Sequence, residues 1–101
     1  MSTDTKGEKM AITKEVVVDR IETLQDGQIQ VRTATVIKED DTELSRTFHR
    51  HVVAPSQKTD DTWGDTDTSG EDTRVQAIAN AVWTDAVKKS YQDQQDANAP
   101  T

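Results

Sequence analysis

Cysteine is absent from this 101-residue chain, which excludes disulfides, thiolate zinc sites and cysteine nucleophiles together. Only two prolines and four glycines are present, and no glycine-rich phosphate loop or G-x-S-x-G nucleophile turn can be assembled from them. The four aromatics are Phe48, Trp63, Trp83 and Tyr91. Apolar residues make up 32% of the chain, against roughly 45–50% (glycine included) in an ordinary domain. The core must therefore be small, and a chain of this kind folds marginally alone or completes its core against a partner; the second is the expectation here. No apolar run has the length of a membrane span or a signal-peptide core, so no membrane association is expected and synthesis in a cytoplasm is.

Base is also scarce, with a formal net charge of −7. Between Lys58 and Arg74 lie Asp60, Asp61, Asp65, Asp67, Glu71 and Asp72 with no basic residue among them. Such a segment repels phosphate, and nucleic acid is not an expected partner.

What is present is strand periodicity. Thr42 to Pro55, TELSRTFHRHVVAP, sets Leu44, Phe48 and Val52 on one face and His49 and His51 on the other, the alternation of a half-buried strand. Upstream, Val16 to Val18 flanked by Ile12 and Ile21 reads as strand. Asp26-Gly27 is a hairpin signal, and Ile29, Val31, Thr33, Thr35 and Ile37 share a face of the next run. In that run Ala34 and Val36 blur the polar face. Glu39-Asp40-Asp41 makes the second turn. The expected fold is α+β: an N-terminal arm over 1–10, a single domain over 11–91, and a fraying tail over 92–101. Within the domain, strands over about 11–24, 28–38 and 42–54 form an antiparallel meander. An acidic loop follows over 55–70, then one or two helices over 71–91 packed on the sheet.

Pro55 ends the third strand, and Trp63 stands alone in a polar loop, where it anchors either to its own domain or to a partner. Ser69 with Asp72 resembles a capping box. Val75, Ile78, Ala79, Val82, Ala86 and Val87 recur at helical spacing, and Thr84-Asp85 offers a second N-cap that splits the element in two. Trp83 flanks that stripe, as core or interface.

Two constellations carry metal chemistry in outline. His49 and His51, at i and i+2 on a strand, can turn both imidazoles to one iron or zinc ion, although two ligands need copies around a symmetry axis to complete a site. Asp65-x-Asp67-x-Ser69-Gly70 matches the first half of a calcium loop, but its twelfth position is Gln76, which offers no bidentate carboxylate. An acidic connector carrying a helix cap is the better reading, and no cofactor is expected. Nothing points to an enzyme. Phe48, Val52, Trp63 and Trp83 are the interface candidates.

Taken together, AITKEVVVDRIE, the Asp-Gly turn, IQVRTATVI, ELSRTFHRHVVAP and GEDTRVQAIANAVWTDAVKKSY resemble a largely uncharacterised group of small virion-associated proteins of tailed bacteriophages. These are of marine and cyanobacterial type, often encoded near tail or tail-fibre genes. The likeness covers about Met10 to Tyr91 and rests on the R-x-x-H-R-H-V and V-Q-A-I-A-N-A-V-W stretches. Many members begin at the equivalent of Met10, and the acidic insert around Trp63 varies among them. The resemblance implies a non-enzymatic structural subunit of the tail, neck or fibre-attachment region, made in the host cytoplasm and carried in the virion. Its partners would be other phage structural proteins, in multiple copies within a symmetric assembly. By analogy with iron-binding H-x-H motifs of trimeric phage fibres, it also points to His49 and His51. A capsid decoration protein, or an acidic phage protein that binds a host factor, are the alternatives.

Overall fold

The computed structural model describes residues 11–98, so the expected N-terminal arm and the last three residues lie outside what is described. Three long strands, β1 (Ile12–Thr23), β2 (Ile29–Glu39) and β3 (Thr42–Val53), form an antiparallel sheet in the order β1-β2-β3. The expected meander is thus present, and among the described residues both flanking strands are open edges. The molecule is long, 70 × 29 × 23 Å, because the helical elements gather at one end of this ribbon.

The β1–β2 turn is closed by Gly27, whose φ of 94° suits glycine alone, and by the Asp26 carboxylate accepting from the Gln28 N–H at 3.0 Å. At the far end, Asp40 and Asp41 take φ of 49° and 71°, the left-handed pair of a type I′ hairpin turn. A β-bulge between Val18 and Arg20 inserts Asp19 into β1. The bulge turns Asp19 onto Arg32, which donates to both carboxylate oxygens at 2.9 Å, and leaves the Val18 carbonyl to accept from Arg74 Nη2 at 2.8 Å. That second bond ties the first helix to the sheet edge.

Cross-strand partners share a face, so the register defines two surfaces. One carries Ile21, Ile29, Val31 and Val53 and holds the core; the other carries Arg20, Arg32, Arg46 and Arg50 among acids. Helix α1 (Thr73–Val82) seats Val75 and Ala79 on Ile29, Val31 and Val53, with Val18, Ile21, Ile78 and Trp83 packed around them. Ala34 and Val36 are buried on the opposite face, where Val17 and Phe48 flank the first and Glu15 and Arg46 the second. The blurred periodicity of β2 therefore has a physical origin: its central position buries residues on both sides.

Three expectations are corrected. The segment over 55–70 is not a plain loop but contains a hairpin, β4 (Ser56–Thr59) and β5 (Thr62–Asp65), turned at Asp60 and Asp61 with φ of 52° and 65°. The helical region splits at Trp83, as the second N-cap allows, but α2 (Asp85–Asn98) runs through most of the expected frayed tail. The capping box does not form. Asp72 itself caps α1, accepting from the Arg74 N–H at 2.8 Å, while the Ser69 N–H donates to Asp67. Thr84 caps α2, its hydroxyl accepting from the Val87 N–H at 3.2 Å, as the second N-cap requires.

Candidate functional site

The two tryptophans resolve differently from their sequence setting. Trp83 ends α1 and turns inward, its Nε1 donating to the Gly27 carbonyl at 2.7 Å. A Cβ added to Gly27 would stand 2.6 Å from Val87 and 3.0 Å from Pro55, so turn, helix junction and buried Pro55 interlock with no room to spare. Of the two roles open to it, Trp83 takes part in the core, as a clamp within the fold. Trp63, half-buried on β5, meets the edge of Tyr91 with centroids 6.0 Å apart and donates to Asp96 at 3.2 Å. Asp96 also accepts from Lys58 at 3.0 Å, and these bonds hold its carboxyl below the usual carboxylate range, the Lys58 bond first. Trp63 thus anchors its own hairpin to α2. Its partner Asp96 lies in the part of α2 beyond Gln92.

The histidines do share a face, as the spacing requires. His51 Nε2 lies 2.9 Å from Glu71 Oε1, bridging β3 to the segment before α1, while His49 stands exposed nearer the far end. Asp65 accepts from Lys88 at 3.0 Å, and Asp67 is spent on the Ser69 N–H, which holds its carboxyl low. Among the described residues no group of three or more His, Cys, Asp or Glu side chains is placed to hold a metal ion. A depression beside the helices, lined by Asp65, Thr68, Asn80, Trp83 and Lys88, is open and already braced by the Lys88–Asp65 pair.

What remains is the ribbon itself. Leu44, Phe48 and Val52 are 55%, 47% and 52% exposed, so the apolar set read from the sequence as a half-buried face faces solvent. Phe48 lies 4.3 Å beneath the Arg32 guanidinium, a cation–π contact on the charged face. On the other face, Ile12 and Val16 are more than half exposed, because α1 covers only the end near Ile29. Compared with known proteins, the chain matches no family model, no curated protein and no solved structure. The surface chemistry alone therefore describes the site: a long sheet with two open edges and bare apolar side chains. Among the described residues no helix is long and apolar enough to cross a membrane.

Proposed function

We propose that this protein is a non-enzymatic binding subunit and, on the sequence resemblance, a structural component of a tailed-phage particle in the tail, neck or fibre-attachment region. One observation carries the binding part. Two open edge strands of twelve residues each expose Ile12, Val16, Leu44, Phe48 and Val52 on a sheet whose helical cover stops at one end. A sheet in this state is a template for another chain, since unpaired N–H and C=O groups and apolar side chains lie side by side. The small core agrees: the described residues bury only Ile29, Val31, Ala34, Val36, Val53, Val75 and Ala79 among hydrophobics, and stability gained on assembly would add to little.

The test is quantitative mass spectrometry of purified, nuclease-treated particles. Peptides of this chain at a fixed ratio to a major tail or capsid protein are the expected result. Abundance in infected cells with absence from particles would overturn the virion assignment.

A further inference from the structure

Among the described residues, every large apolar side chain that stands exposed lies on an edge strand: Ile12, Val16 and Val17 on β1, and Leu44, Phe48 and Val52 on β3. The two edges differ in charge. On the face away from α1, β1 presents Glu15, Val17 and, through its bulge, Asp19, while β3 presents Arg46, Phe48 and Arg50. One edge thus reads acid, apolar, acid, and the other base, apolar, base. The register also sets them level. Glu15 and Arg46 both lie opposite Val36, and Val17 and Phe48 both lie opposite Ala34.

We propose that β1 of a second copy of the chain adds to the open edge of β3, so that the sheets of successive copies run on as one. The inference rests on the reading of the ribbon as a binding surface and names its partner. Direction comes first. β1 and β3 are both antiparallel to β2, so a copy lying alongside with the same face up offers its β1 parallel to β3. At equal height, Glu15 of the second copy then stands beside Arg46 and Val17 beside Phe48. On the other face Lys14 meets Ser45 and Val16 meets Thr47, and no like charges oppose one another in these four rows. At the bulge Asp19 and Arg20 of the second copy both come to Arg50, where their charges offset. Pairing either edge with its own image about its apolar centre does the reverse: β3 about Phe48 sets Arg46 against Arg50, and β1 about Val17 sets Glu15 against Asp19.

The charged pair has capacity left for this contact. Glu15 reaches Lys38 at 3.2 Å and Arg46 reaches Glu43 at 2.8 Å, yet their side chains remain 51% and 36% exposed. The ladder stops at the bulge, because Arg74 already holds the Val18 carbonyl. Main-chain hydrogen bonds supply the attraction and the side-chain rows supply the register. Twist keeps the helices apart. Adjacent strands rotate by about 20–25°, so copies three strands apart turn by roughly 60–75°, and their helical ends fan out from the paired rows. A head-to-tail contact leaves one β1 and one β3 free at the ends of each assembly, so growth passes beyond two copies. The ladder is short, so assembly should be reversible and rise with concentration.

Sedimentation equilibrium of the full chain, from low micromolar to several hundred micromolar, tests this. The mass should rise reversibly from 11.2 kDa through the dimer to larger species. Glu15→Arg and Arg46→Glu each set like charges at one row, and each variant alone should associate at least tenfold more weakly than the parent chain. Mixed in equal amounts, the two should associate again, because each supplies the charge that the other's edge then lacks. Circular dichroism of both checks the fold; should either misfold, Glu15→Gln and Arg46→Gln should weaken association with no recovery on mixing. A monomer at every concentration, growth that stops at two copies, reversals that associate like the parent, or a mixture of folded reversals that stays monomeric would each overturn the proposal. Failure here with the chain present in particles at a fixed ratio removes only the self-association. Association with absence from particles removes only the virion role.

Discussion

At Gly27 three features of the fold depend on one residue. Its φ of 94°, the contact its missing side chain permits with Val87, and its carbonyl's bond to Trp83 Nε1 all meet at one turn. Gly27→Ala must accept a left-handed backbone and push a methyl group into Val87. We expect a loss of about 2–4 kcal/mol in urea unfolding, large for so small a domain. The Asp26-Gly27 turn is legible in the sequence, but its partner is not. Trp83 lies fifty-six positions away, and nothing in the local pattern separates an indole that clamps a turn from one that faces a neighbour.

At the scale of elements, the hairpin β4–β5 shows where periodicity fails as a signal. Its strands, SQKT and TWGD, bury little beyond Ser56 and show no apolar alternation. The usable signal was in the turn. Asp40-Asp41-Thr42 closes β2–β3, and the same tripeptide recurs at Asp60-Asp61-Thr62, each aspartate pair with positive φ. Aspartate tolerates that conformation better than most residues, so the repeat marks two like turns. The extension of α2 has a tertiary cause: Trp63 and Lys58 hold Asp96 from across the hairpin. Trp63→Ala should lower helicity at 222 nm by fraying the turns beyond Gln92, with about 1–2 kcal/mol of stability lost, less than for a fully buried aromatic. Unchanged helicity would show that α2 holds its own end.

Across the whole molecule, acid should loosen the structure through several carboxylates at once. Hydrogen bonds from Arg32 to Asp19, Arg46 to Glu43, Arg74 to Asp72 and Lys58 to Asp96 hold these groups below their ordinary values, and the Ser69 N–H does the same for Asp67. A carboxylate whose folded pKa is depressed contributes stability above its unfolded value and loses it as pH falls through the folded one. Thermal unfolding should therefore be insensitive to pH from neutrality to about 5, and the melting temperature should fall steadily below about 4. Added salt should shrink that fall, because these pairs are largely solvent-exposed and screened. A melting temperature flat down to the lowest pH would show that the pairs are not maintained in solution.

By itself, the sequence determined the three-stranded meander, its two turns, a helical region after them and the poverty of the core, because strand alternation, Asp-Gly chemistry and helical spacing are local properties. It also put His49 and His51 on one face and Phe48 with Val52 on the other, since parity along a strand needs no partner. Only the tertiary structure decided which face α1 covers, and how little of it. That depends on the bulge at Asp19, the Arg74 bond to Val18 and the clamp of Trp83 on Gly27, each joining positions far apart in the chain. The exposure of Ile12 and Val16 follows from that placement, and alternation along one strand cannot report where a distant helix stops.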